Sequence, residues 1–278
     1  MTDYTINVRG RLISFEKPLV MGILNVTPDS FYAGSRKQTE HEIADRTNQI
    51  IADGGAIIDV GAFSTRPGAA EVTEAEESKR LCEALRIVRR EQPDVVVSVD
   101  TYRPRVARRC VEEWGADIIN DVSEGGLTGI VNTPIHEEGD MFDTVARLQV
   151  PYILMSVKPT LETMMIAFAD EVQRLRDLGV KDIILDPGFG FGKTLEQNYR
   201  LLRQMDRFQV FGLPVLVGIS RKSMIYKLLG GDPVTSLNGT SVLNVISLMK
   251  GAGILRVHDV KEAVEAVELY HEMTTIEL

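Results

Sequence analysis

The sequence predicts an α/β fold: a single (β/α)8 TIM barrel whose floor is closed by an N-terminal β-hairpin. Three observations carry this. Eight short apolar runs alternate with helical patterns along the 278 residues. The runs are continuously apolar rather than in-out alternating, as befits parallel strands covered on both faces. No shift in composition marks a second domain. A doubly wound open sheet shares the alternation, but eight units in one uninterrupted stretch fit a closed barrel. One domain is expected over residues 1–278, with the hairpin in 1–18 and the barrel in 19–278.

At the start, Tyr4-Thr5-Ile6-Asn7-Val8 alternates and then turns at Arg9-Gly10-Arg11, which reads as the hairpin. The strand runs are Leu19 to Asn25, Ala56 to Val60, Val95 to Asp100, Asp117 to Asp121, Pro151 to Ser156, Asp182 to Asp186, Pro214 to Ser220 and Gly253 to His258. Between them apolar residues recur near a period of 3.6, as in Ala75, Leu81, Leu85 and Val88, in Leu175 with Leu178, and in Val242, Val245, Ile246 and Met249. Between the fourth and fifth strands, Val122 to Gly139 is a long glycine-rich segment, a length usually reserved for functional or disordered loops.

Composition narrows the function. At 44% hydrophobic and 26% charged the chain is ordinary globular protein, neither disordered nor collagen-like. With 31 basic and 40 acidic residues the net charge is −9, which disfavours a nucleic acid held by Coulomb attraction. An anionic ligand must therefore be small and locally gripped. No run approaches the roughly 18 apolar residues of a membrane span, and MTDYTINVRG lacks the apolar core of a signal peptide, so a cytoplasmic protein is expected. Cys82 and Cys110 have no CxxC partner and read as reduced thiols.

Most apolar runs end in a polar residue: Asn25, Asp59, Asp100, Asn120 with Asp121, Ser156, Asp186, Ser220, and Arg256 with His258. In a barrel these ends share one mouth. Asp59 and Ser156 read equally well as caps of the helices that follow. Asn25 precedes a Thr27-Pro28-Asp29 turn; its carbonyl oxygen suits Mg²⁺, although Asn and Asp also simply build turns. The loop Gly61 to Gly68 carries Ser64, Thr65 and Arg66, donors suited to an anion or carboxylate. The run Asp186-Pro187-Gly188-Phe189-Gly190-Phe191-Gly192-Lys193-Thr194 resembles a phosphate loop but places Pro187 where the first glycine is required. A flat ligand beside Asp186, walled by Phe191, fits it better.

The loops after strands seven and eight, the usual phosphate site of a barrel, supply Ser220, Lys222, Arg256 and His258. Arg256 and His258 alternate on a strand and so point the same way. Asp100, Asn120 and Asp186 with Lys222 offer acceptors and a donor to a heterocycle with a guanidine-like edge, and a general acid-base pair is the competing account of the two aspartates.

Taken in order, MGILNVTPDSF, STRPGA, SVDT, IND, LDPGFGFGK, SRKSMI and RVHDV resemble the dihydropteroate synthase family, from Met21 to Val260. The resemblance implies a TIM-barrel transferase that joins 6-hydroxymethyl-7,8-dihydropterin pyrophosphate to p-aminobenzoate and releases pyrophosphate, with Mg²⁺ assisting and a homodimer as the usual assembly. By matching block, it implies that Asp100, Asn120, Asp186 and Lys222 hold the pterin and that Thr65, Arg256 and His258 hold the pyrophosphate. Asn25 would meet the metal, and Phe31, Arg66, Pro67, Phe191, Lys222 and Ser223 would border the p-aminobenzoate pocket.

The chain departs from the family pattern in three places. Met155-Ser156-Val157-Lys158-Pro159 stands where many members have a His-Met-Gln-Gly turn, Tyr32-Ala33 stands for Ser-Asp, and Phe63 replaces a frequent glutamate. Two other readings follow: a pterin-binding paralogue that has lost catalysis and acts in sequestration or regulation, and a folate-dependent methyltransferase. The Arg256-Val257-His258 pair argues against the second.

Overall fold

The computed structural model describes residues 4–26, 36–63, 72–125 and 140–276. Strands β1 (Thr5–Val8) and β2 (Arg11–Ser14) form the expected hairpin. Its turn residues Arg9 and Gly10 both take positive φ, 49° and 80°, the twist that tight hairpin turns need.

The barrel follows: β3 (Leu19–Asn25), α1 (Arg36–Ala52), β4 (Ile57–Gly61), α2 (Glu74–Glu91), β5 (Val96–Asp100), α3 (Pro104–Glu112), β6 (Ile118–Asp121), α4 (Met141–Leu148), β7 (Tyr152–Met155), α5 (Leu161–Asp177), β8 (Ile183–Asp186), α6 (Leu195–Arg203), β9 (Leu216–Val217), α7 (Ser223–Leu229), α8 (Leu237–Met249), β10 (Ile254–Val257) and α9 (Val260–Thr275). The eight parallel strands run β8-β7-β6-β5-β4-β3-β10-β9. A bridge between Leu185 and Val215, with Leu185 N–H donating to Pro214 O at 2.9 Å, joins the two ends and closes the barrel. All eight sequence-predicted strands are present. The seventh is shorter than Pro214 to Ser220: after Val217 the chain leaves the ladder for a turn in which Arg221 takes a φ of 55°.

The hairpin packs against the N-terminal ends of the strands. Ile6, Val8 and Phe15 form one core with Met21, Ile57, Val96, Ile118, Ile153, Ile184, Leu216 and Ile254, one residue from each barrel strand. Each such buried aliphatic side chain contributes about 1.5–3 kcal/mol. Asp117 fastens the arrangement, since its carboxylate accepts from Arg9 of the hairpin turn and from Arg89 Nη2 of α2 at 2.7 Å. With the floor sealed, the C-terminal ends of the strands form the accessible mouth.

Helices coat the outside. Leu81, Leu85 and Val88 of α2 are buried, as their spacing requires, whereas Ala75 is exposed. The pattern on α8 runs the other way. Val242, Val245, Ile246 and Met249 face solvent at 36–63% exposure, and Leu243 and Leu248 with the small or polar Thr240, Asn244 and Ser247 meet the core. Among the described residues no helix is long and apolar enough to cross a membrane.

Candidate active site

Asp59 lies inside β4, fully buried, and caps no helix. Its Oδ2 accepts from Arg256 Nε at 2.6 Å and from Asn120 Nδ2 at 3.2 Å. Arg256 Nη2 reaches across to Asp100 Oδ2 at 2.8 Å. Four strands, β4, β5, β6 and β10, thus present their polar residues to one point, because period-2 geometry sends these side chains inward. Burial and the Asp59 charge push Asp100 up to about 7 against the pull of Arg256. The two carboxylates raise Arg256 above its usual value despite its burial, so it stays a cation.

On the opposite wall, Asp186 Oδ1 accepts from Gly188 N–H at 2.7 Å, and burial raises its pKa while Lys222 opposes the rise. Lys222 donates to Phe189 O and lies 4.4 Å from the centre of the Phe191 ring. Burial lowers Lys222 to about 8. Gly190, at φ 82°, is needed here, since a β-carbon would sit 2.9 Å from Lys222 Cδ. Ser223 opens α7 immediately after Lys222. Ser220 Oγ pairs with His258 Nδ1 at 3.1 Å and accepts from His258 N–H at 3.2 Å. Burial and the neighbouring Arg256 hold His258 down at about 4, which leaves it neutral at pH 7.

Asn25 stands exposed at the end of β3. It shares with His258 and Arg46 a cavity of about 310 Å³ between β3 and α1. A side chain at Gly61 would come within 3.3 Å of Asn25 Oδ1 and 3.5 Å of the Asp100 β-carbon, so the glycine keeps an open cradle between them. Phe31, Thr65, Arg66 and Pro67 lie outside the described residues.

Lys193 and Arg46, to which sequence reasoning gave no role, belong to this framework, as does Ser156. Lys193 Nζ donates to the carbonyls of Ser156, Gly188 and Phe191 at 3.0–3.1 Å, tying down the loop rather than meeting a phosphate. Arg46 Nη2 donates to His258 O at 2.6 Å. Ser156 is no helix cap, since Thr160 caps α5 and Ser156 Oγ donates to Glu124. Lys193 stood inside a quoted motif, but nothing in one sequence tells a lysine aimed at backbone from one aimed at ligand.

Three acceptor oxygens at the mouth are buried without a hydrogen-bond partner: Asp59 Oδ1, Asp100 Oδ1 and Asn120 Oδ1. Native proteins rarely leave such atoms unpaired, and here they point to a donor-rich ligand. The family described as pterin binding enzyme matches residues 21–258. Dihydropteroate synthase of Escherichia coli strain K12 is 40% identical over 276 residues, covering 94% of this chain and 93% of that protein. The chain belongs to the dihydropteroate synthase family of pterin-binding enzymes. Two solved structures extend the match to geometry. The Yersinia pestis dihydropteroate synthase in a sulfonamide drug complex superposes with a TM-score of 0.83 at 34% identity, over 98% of this chain and 100% of that one. The Xanthomonas albilineans dihydropteroate synthase with 4-aminobenzoic acid gives 0.86 at 30% identity, over the whole of both chains. The family's members are transferases, as is this chain, and the sequestration reading gains no support.

Proposed function

We propose that the barrel mouth condenses 6-hydroxymethyl-7,8-dihydropterin pyrophosphate with p-aminobenzoate to give 7,8-dihydropteroate and pyrophosphate through the following division of roles. The observation that carries it is the pair of unpartnered acceptors on Asp100 and Asn120, beside the wholly buried Asp59 that orients Arg256. The amino and ring N–H groups of a pterin supply the donors they lack. Asp186 takes further donors of the same edge, and Lys222 donates to its carbonyl side.

Arg256 serves both ends. Two of its five N–H donors are engaged by Asp59 and Asp100, leaving three for the leaving pyrophosphate beside His258 and Thr65. As the carbon–oxygen bond to pyrophosphate breaks, positive charge grows on the pterin methylene, and the nearby carboxylates stabilise it. The arylamine nitrogen is neutral at pH 7; it forms the new carbon–nitrogen bond and releases one proton, so the residues chiefly position and polarise. Phe191, Lys222 and Ser223, with Phe31, Arg66 and Pro67, border the p-aminobenzoate pocket.

Mg²⁺ fits the donor set at Asn25. An exposed neutral carbonyl oxygen faces the open cradle at Gly61, and among the described residues no cluster of three or more His, Cys, Asp or Glu forms an all-protein cage. Mg²⁺ is usually held in this way, by one or two protein oxygens with water and phosphate. When bound it offsets charge on the leaving pyrophosphate. The unpaired thiols Cys82 and Cys110 agree with a cytoplasmic setting, and the apolar outer face of α8 agrees with a homodimer.

The test is turnover. Purified protein with both substrates and Mg²⁺ should yield dihydropteroate and pyrophosphate in molar excess over enzyme by chromatography; binding without product would overturn the reading.

A further inference from the structure

Behind the mouth lies a polar cluster that the reaction does not use. Glu124 has a φ of 52°, a conformation that residues with a β-carbon rarely adopt. Its side chain is fully buried. Oε1 accepts from the Ser156 hydroxyl at 2.6 Å and from Val157 N–H at 2.7 Å, and Oε2 pairs with Lys158 Nζ at 3.1 Å. One carboxylate thus holds three consecutive residues of the turn between β7 and α5. Glu171, nearby on α5, is pushed up to about 8 by burial and by Glu124, with Lys158 opposing the rise.

That turn in turn supports the wall of the mouth. Ser156 O accepts from Lys193 Nζ at 3.1 Å, and the same ammonium holds the carbonyls of Gly188 and Phe191. Gly188, at φ 64°, lies so close that a β-carbon there would come within 2.2 Å of Ser156 O. A continuous set of charge-assisted and close-packed contacts therefore runs from Glu124 through Ser156 and Lys193 to Phe191. This is also the stretch where Ser156 to Pro159 departs from the family pattern.

We propose that Glu124 is a positioning residue for p-aminobenzoate: by bracing the Ser156–Lys158 turn it sets, through Lys193, where Phe191 stands. The proposal rests on the placement of p-aminobenzoate against Phe191 given above. Near-attack geometry is sensitive to displacements of about 1 Å in a supporting wall.

Glu124→Gly is the informative variant, because glycine takes this backbone conformation freely and only the carboxylate is lost. Glu124→Gln keeps an acceptor for Ser156 and Val157. In Glu124→Gly, amide hydrogen exchange of residues 188–193 should quicken, and the KM for p-aminobenzoate should rise about tenfold while that for the pterin pyrophosphate moves less than about twofold. Glu124→Gln should bring both readouts back most of the way. Unchanged exchange would overturn the connection itself. Faster exchange with an unchanged p-aminobenzoate KM, in a protein whose Phe191→Ala variant does raise that KM, would overturn the positioning role. A Phe191→Ala variant without effect would overturn the substrate placement instead, leaving the exchange result to judge the connection.

Discussion

The Asp59 carboxylate and the Arg256 guanidinium form a buried ion pair across the barrel mouth, Nε to Oδ2 at 2.6 Å, although 197 positions separate them in the chain. Asp59 is wholly inaccessible, and Arg256 retains 19% side-chain exposure. Buried pairs are costly to break from one side, because the survivor keeps its desolvation penalty without its partner. Asp59→Ala should lower the unfolding free energy in urea by about 3–5 kcal/mol. The triple variant Asp59→Asn, Asp100→Asn and Arg256→Gln, which removes every charge of this buried network, should recover much of that stability and none of the turnover. A single variant as stable as the parent would show that the pair is not what holds the mouth.

Asp186 should matter to ligand more than to fold. Its Oδ1 already accepts from Gly188 N–H, a bond an asparagine oxygen can keep, so Asp186→Asn chiefly removes charge. Pterin binding by calorimetry should weaken by about 1–3 kcal/mol, with the melting temperature little changed. Equal affinity in the variant would remove Asp186 from the pterin edge.

His258 gives the site a pH signature. Folding depresses its pKa from 6.5 to about 4, through burial first and Arg256 second. A depressed pKa contributes stability that is present above pH 6.5 and lost as pH falls through about 4. Pyrophosphate reverses the bias, since an anion beside the ring favours imidazolium. Pyrophosphate binding should therefore include proton uptake that grows as pH drops from neutrality toward 5, seen by calorimetry in buffers of different ionisation enthalpy. His258→Gln should lose that component; if the uptake persists, the anion does not sit at His258.

How far the sequence could be read depended on whether the cause was local. Continuous apolar runs ending in Asn25, Asp100, Asn120 and Asp186 showed both the strands and the mouth, because a parallel strand's burial is written in its own residues. Asp59 was legible as a strand end but not as the partner of Arg256, since nothing near either residue records the other. Glu124 was legible only as part of the long Val122 to Gly139 segment: a glutamate between a serine and a glycine carries no mark of burial. The stripe Val242, Val245, Ile246 and Met249 was legible as helix but not as an outward face, because apolar spacing marks one side of a helix without saying what covers it.

Asp117 separates stability from function. It lies at the floor, accepts from Arg9 and Arg89, and also takes the Val97 N–H at 2.8 Å. Asp117→Ala removes the carboxylate that joins Arg9 to Arg89 and leaves a buried amide without its acceptor, and unfolding in urea should show a loss of about 2–4 kcal/mol. The floor of a barrel carries stability while its mouth carries chemistry. Well below the new melting temperature, kcat and both KM values should therefore match the parent; a fall in kcat there would mean the floor also shapes the site.

The outward stripe of α8 is where assembly should be tested. Val242 and Met249 are 50% and 63% exposed, and Leu269 and Met273 on the adjoining α9 are 74% and 60% exposed. These exposed apolar side chains on two adjoining helices are the surface on which the proposed homodimer is tested, in a protein with a net charge of −9. In a twofold dimer the same stripe meets its own copy, so one substitution acts twice. Sedimentation velocity at micromolar concentration should give a dimer for the parent and a monomer for Val242→Asp with Met249→Asp. Since these side chains contribute little to the monomer's core, the variant should keep its fold by circular dichroism. A parent that sediments as a monomer over the same range would assign the stripe to a different partner.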